Sequence, residues 1–151
     1  MGIIPKIICE QYIETDDGLP PKDYKIFCSY GKPKFLYIAS KRNGMNTKFD
    51  YFDLNWNWIA VKNGHENAEA IFTRPPNFDE MLSLASKLSK PFPLVRVHLY
   101  NENGEIIFGE LTFCHYSGVA AFEPDNYDTK FGSEFPDVRG CGIRDIEVDI
   151  H

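Results

Sequence analysis

Four side chains in the stretch VRVHLYNENGEIIFGELTF, Val95 to Phe113, carry chemistry where a hairpin core is normally apolar. Arg96 and His98 stand two residues apart, as do Glu110 and Thr112, so each pair falls on one face of a strand. Between the runs, Asn103-Gly104 is a strong signal for a type I′ hairpin turn. His98 and Glu110 lie five and six residues from that turn, which brings them nearly opposite one another. A carboxylate beside another ligand on rigid strands suits a divalent cation carrying a nucleotide's phosphates. Magnesium in particular takes a few carboxylates, phosphate oxygens and water. Arg96 on the same face would stabilise developing anionic charge. Alternating polar residues also mark a merely solvated strand face, and the pattern alone leaves both readings open.

Those side chains need a sheet to hold them. Ile3 to Ile13 is apolar and β-prone and reads as a strand, followed by an acidic, turn-rich loop from Glu14 to Lys22. DYKIFCSYGKPKFLYIAS gives two β-rich runs around Tyr30-Gly31-Lys32-Pro33, a second hairpin. KRNGMNTK is a polar loop, and FDYFDLNWNWIAV alternates aromatic and polar residues as one or two further strands. KNGHENAEAIFTRPP reads as irregular. Asn77 to Lys90 is the clearest helix, with Phe78, Met81, Leu82, Ala85 and Leu88 at helical spacing and Pro91 and Pro93 stopping it. Asn77 and Glu80 occupy capping-box positions. Glu123 to Gly132 predicts a short acidic helix, and IRDIEVDI a last strand in an otherwise irregular tail. The expected fold is α+β, an antiparallel sheet with one main helix and a short second helix, in a single domain over residues 1–135 with an atypical tail at 136–151.

A chain of 151 residues with 43% apolar and 15% aromatic content suits one folded core. Its net charge of −6 argues against a nucleic-acid protein, which needs a basic face to neutralise phosphates. Cys9, Cys28, Cys114 and Cys141 are scattered without a C-x-x-C pair, so buried thiols in a reducing compartment are expected rather than a zinc site. No signal-peptide pattern and no run of spanning length occurs, which makes the cytoplasm the expected location.

Other candidates are weaker. Cys114 and His115 are sequence neighbours that point to opposite faces of a strand, so a nucleophile pair is disfavoured and His115 is expected on a pocket wall or the surface. His98, His115 and Glu110 would make a transition-metal site only if they converge. His65 is expected in solvent. Phe52, Trp56 and Trp58 share one face of a strand, with Asp53, Asn55 and Asn57 on the other; this suits a sugar-stacking face or an amphipathic core strand. Lys41 and Arg42 would meet phosphate or simply solvate a loop.

KIICEQYIE, DYKIFCSYGKPKF, FDLNW and VRVHLYNENGEIIFGELTF…SGVAAFEPDNYDTKFG together resemble the TupA-like ATP-grasp family, linked to teichuronopeptide and other cell-surface polysaccharide synthesis. The resemblance runs from about Pro5 to Gly132 and implies the C-terminal subdomain of an ATP-grasp fold, with ATP and Mg²⁺ as cofactors. It implies that Glu10, Tyr12 and Ile13 belong to the hinge strand that meets adenine, that Asp23 reaches the ribose, and that Lys25 lies near the phosphates. It places Arg96 at the acyl-transfer centre, makes Glu110, Thr112 and His98 the metal positions, and puts Ser117 and Gly118 near the acceptor; Arg42, from its own basic character, is a further substrate candidate.

Two departures stand out. His98 replaces an aspartate of the family pattern, and imidazole suits zinc, copper or iron better than magnesium. The chain contains neither a G-x-G-x-x-G stretch nor a P-loop. The expectation is therefore a truncated or split ligase that activates a carboxylate with ATP for attack by an amine or hydroxyl. An inactive nucleotide- or partner-binding remnant is the alternative, and a glycosyltransferase-type polysaccharide enzyme ranks lower. The expected partners are a nucleotide and a polysaccharide precursor, with a second chain, self-association or the tail covering an exposed sheet face.

Overall fold

The computed structural model describes residues 6–15, 18, 20–40, 47–68 and 71–136. Its elements are β1 (Asp23–Ser29), β2 (Lys32–Ser40), β3 (Lys48–Phe52), β4 (Trp58–Ile59), α1 (Phe78–Ser89), β5 (Val95–Glu102), β6 (Glu105–Thr112) and α2 (Asn126–Gly132). The six strands form one antiparallel sheet in the order β4-β3-β2-β1-β5-β6. This is the α+β architecture expected from the sequence, with one main helix and one short one. Both hairpin turns behave as their residues require. Tyr30 and Gly31 have φ of 43° and 75°, and Asn103 and Gly104 have 52° and 81°, the double positive φ of a primed turn.

Period-two alternation sends the two halves of each strand to different layers. Tyr24, Ile26 and Cys28 of β1, Leu36 and Ile38 of β2, and Val95, Val97 and Leu99 of β5 pack against Phe78, Met81 and Ala85 of α1. The opposite layer holds Phe27, Phe35, Tyr37, Ala39, Phe49 and Tyr51, capped by Val61 and by Phe131 from α2. Burying each such side chain contributes about 1.5–3 kcal/mol. The neighbouring strands β1 and β5 turn their apolar residues toward α1 and carry Asp23, Lys25, Arg96 and His98 on the opposite face.

Several expectations need correction. Residues 6–13 form no strand, and Ile7, Ile8 and Tyr12 are 96%, 79% and 73% exposed. Strand propensity needs a ladder to join and a face to bury, and both flanks of β1 are taken by β2 and β5. FDYFDLNWNWIAV does give two strands, the end of β3 and β4, but Phe52, Trp56 and Trp58 do not share one of them. Asp53 to Asn57 is a tight turn in which Asp53 Oδ1 accepts from the backbone N–H of Asn55 and Asn57, at 2.9 and 2.8 Å. Trp56, at φ 68°, folds back to stack on Phe52 at 5.0 Å and joins the α1 layer, so no sugar-stacking face is built there. Asn77 precedes α1 but makes no side-chain cap. Its amide instead donates to the Gly104 carbonyl at 2.8 Å and accepts from Asn101 at 2.7 Å, which ties the helix start to the β5–β6 turn. Cys28 is buried, whereas Cys9 and Cys114 are exposed, against the expectation of buried thiols. Arg42, Cys141 and the strand expected at IRDIEVDI lie outside the described residues. Among the described residues no helix is long and apolar enough to cross a membrane.

Candidate functional site

β1, β5 and β6 position the site. Lys25 pairs with His98 across β1 and β5, and Arg96 pairs with Thr112 across β5 and β6. Between those registers the β5–β6 ladder slips, so that Gly109 and Glu110 together oppose His98. Alternation from Thr112 already puts Glu110 on the face that carries Lys25, Arg96 and His98. The slip brings Gly109 under the His98 ring and explains the glycine. A methyl group there would meet His98 Nδ1 at 2.6 Å and Cγ at 2.9 Å, so the imidazole lies flat against bare backbone. Glycine is the one residue that leaves room for it.

An open hollow of about 470 Å³ results, lined by Ile8, Glu10, Lys25, His98, Tyr100, Gly109 and Glu110. Glu110 reaches it from an edge strand with its carboxyl oxygen Oε1 accepting from Thr112 Oγ1 at 2.9 Å and from Arg96 Nη2 at 3.2 Å. The Thr112 hydroxyl, followed by the charges of Lys25, Arg96 and His98, outweighs desolvation and holds the Glu110 carboxyl below the usual glutamate range. It is therefore an anion at neutral pH.

Beneath the hollow the groups are buried. Asp23 is 1% exposed and His98 5%. Asp23 Oδ2 lies 3.5 Å from Lys25 Nζ. Asp23 Oδ1 lies 3.2 Å from His98 Nε2 but out of alignment, which leaves that ring nitrogen without a hydrogen bond among the described residues. Arg96, 7% exposed, sits one row further along. Its Nη1 donates to the Tyr37 hydroxyl at 2.9 Å and contacts His115 Nδ1, and its Nη2 also donates to Thr112 Oγ1 at 2.8 Å. Arg96 thus does not line the hollow but orients the residues that do.

The other expected site residues scatter. Glu10 lines the hollow, while Tyr12 is exposed and Ile13 half-buried in the irregular segment before β1. Ser117 and Gly118 lie in an exposed turn, His115–Gly118, away from the hollow lining. His65 is not in solvent: its Nδ1 stands 3.1 Å from the Thr47 carbonyl and its ring 4.3 Å from that of Phe49. The His98–His115–Glu110 metal set does not form, and no three His, Cys, Asp or Glu side chains converge among the described residues. Arg96 explains this by standing between His115 and Glu110. Residues 113–118 leave the β6 ladder, so His115 and Cys114 form no catalytic pair on a strand.

Sequence reasoning missed three participants. Tyr37 and Asn63 join the Arg96 network from β2 and from the loop after β4. No local pattern announces either, since both contacts span more than fifty residues. Gly109 was legible in principle, because an isolated glycine inside a strand marks a bulge or a close approach.

Comparison with known proteins returned no match among curated proteins and none among solved structures. The family model for TupA-like ATPgrasp, however, matches residues 1–136 of the 151, and the chain belongs to that family.

Proposed function

We propose that the hollow receives the phosphate end of a magnesium–nucleotide and that the chain works as part of an ATP-grasp-type ligase. The observation that carries this reading is the convergence of Lys25, His98 and an ionised Glu110 in one concavity on a rigid sheet. The donor set fits magnesium in part. One carboxylate and the Thr112 hydroxyl suit a hard cation that draws its remaining ligands from phosphate and water, whereas the His98 imidazole does not. Glu110 and Thr112 would hold the ion, which when bound neutralises phosphate charge.

Lys25 would meet the phosphates as a point charge. Glu10, Tyr12 and Ile13 would border adenine, while Asp23, expected at the ribose, is buried under the hollow and would instead hold Lys25 and His98 in place. Transfer of the γ-phosphoryl group to a substrate carboxylate breaks the β–γ bridge and leaves an acyl phosphate and ADP. Attack by an amine or hydroxyl then expels phosphate. Arg96 supports the charge that develops by holding Glu110 and Thr112 in place. The family resemblance points to a cell-surface polysaccharide precursor as acceptor, met near Arg42, Ser117 and Gly118, and to work in the cytoplasm where ATP is made available. A second chain or a second copy would close the hollow, which is open to solvent on one side.

Calorimetric titration of ATP with and without magnesium tests the reading. Magnesium-dependent heat that disappears in Lys25→Ala supports it, and the same heat in wild type and Lys25→Ala contradicts it. A second reading, binding without turnover, has one observation in its favour. His98 is stowed in the Gly109 cradle with its Nε2 turned to Asp23 instead of toward the hollow. Nucleotide binding with no acyl phosphate formed, even in His98→Asp, would favour it.

A further inference from the structure

The turn after β6 contains a histidine that the reading above does not use. His115 Nε2 stands 3.0 Å from Asn63 Oδ1, and its Nδ1 contacts Arg96 Nη1. Asn63 is 1% exposed and donates through Nδ2 to the carbonyls of Ala120 at 2.9 Å and Ala121 at 3.0 Å. These contacts fix every proton. Guanidinium has only donors, so Nδ1 must accept. The ring proton then sits on Nε2 and is donated to Asn63 Oδ1, the amide's one acceptor. The result is an unbroken hydrogen-bonded chain from Glu110 at the hollow, through Arg96, His115 and Asn63, to the backbone at Ala120 and Ala121.

We propose that His115 is a positioning residue of the hollow, whose neutral imidazole, clamped between Arg96 and Asn63, aims the Arg96 guanidinium and couples Glu110 to the segment 115–121. The ring is held on its sides as well, with Phe27 edge-on at 5.5 Å and Tyr37 at 5.6 Å. The segment that carries it is strained. Tyr116, Ser117 and Gly118 all have positive φ, at 47°, 54° and 73°. Two of these are not glycine, and such conformations persist only where the surroundings over-determine them. Phe113 and Val119 are 56% and 84% exposed, whereas the Tyr116 ring packs on His115 at 4.5 Å and near His65 at 6.2 Å. The polar anchors beside that packing are His115 and the Asn63 clamp. Burial first, then the charges of Arg96 and Lys25, push the His115 imidazole down to about 4, in keeping with a ring that must stay neutral. The consequence for a nucleotide rests on the function proposed above: a ligand that shifts segment 115–121 would turn Glu110.

The test uses the whole chain without ligand first. Nitrogen-15 spectra of the histidine rings should show His115 as the Nε2–H tautomer with no protonation above about pH 5. An Nδ1–H tautomer, or titration near the ordinary 6.5, overturns the proposal. His115→Leu removes both contacts at similar bulk, and His115→Asn returns an acceptor to Arg96. The leucine variant should free the Arg96 guanidinium to rotate, read as exchange broadening of its nitrogen-15 side-chain signals, and weaken magnesium–ATP affinity about tenfold, with most of both effects recovered by asparagine. Folded variants in which asparagine is no better than leucine would overturn the positioning role. If the leucine variant does not fold, the wild-type tautomer and the Arg96 signals in His115→Asn decide. A protein with the expected tautomer and Arg96 signals that binds no ATP would sink the proposed function and leave this inference standing.

Discussion

The two faces of the sheet are made by the same strands and differ in almost everything else. Toward α1, β1 and β5 present Tyr24, Ile26, Cys28, Val95, Val97 and Leu99, all buried against a helix with matching spacing. One residue along in each strand, the other face presents Asp23, Lys25, Arg96 and His98. The first face is closed and apolar. The second is part aromatic, under α2, and part ionic, under an open hollow. The lesson is a division of labour at single-residue resolution. Hydrophobic burial on one side fixes the register, and that register delivers the charges on the other.

The comparison is broken most forcefully from the helix side. Phe78→Ala should destabilise the fold by about 3–5 kcal/mol, since a fully buried ring leaves a cavity in the α1 layer. Chemical denaturation measures this, and a loss below about 1 kcal/mol would mean that α1 is not what holds the sheet. The bulge comes next. Gly109→Ala should cost about 1–3 kcal/mol by overpacking and drive the His98 ring off the backbone. A shifted His98 ring resonance alongside the stability loss checks it.

Acid sharpens the contrast, because only one face titrates. His115 has a folded-state value of about 4 against an ordinary 6.5, so the unfolded chain binds the extra proton between those two pH values. Stability should therefore fall as pH drops from about 6.5 to 4, by on the order of 1–3 kcal/mol, and level off below. His115→Asn should flatten that slope in pH-dependent unfolding; an unchanged slope refutes the cause. The smallest effect belongs to Glu110. Its lowered value makes a contribution that is present above the ordinary glutamate range and is lost as pH falls through the folded-state value. With 56% of its side chain exposed, the contribution stays under about 1 kcal/mol, seen as a shallower acid limb in Glu110→Gln.

Much of this was readable in advance where the signal is local. The Asn103-Gly104 turn, the helical spacing from Phe78 onward and the period-two alternation of β5 and β6 each depend on neighbours a few residues away. They correctly put Arg96, His98, Glu110 and Thr112 on one face. What was not readable depends on partners distant in sequence. The segment from Ile7 to Ile13 has the composition of a strand, yet both flanks of β1 are occupied by strands that follow it. Trp56 has alternating neighbours but sits in a turn set by Asp53. The burial of Arg96 under His115 and Tyr37 needs a loop that folds back over the sheet, and no spacing rule encodes that.

The central claim is that the ionic end of the second face is a phosphate–cation site, not a solvated strand surface. The measurement that meets it most directly is calorimetry of ATP at fixed magnesium for wild type and Glu110→Gln, each repeated with magnesium chelated. The account predicts affinity for the wild-type chain that falls about tenfold with glutamine only when magnesium is present. No wild-type affinity with or without magnesium, or affinity indifferent to both the substitution and the ion, would contradict it.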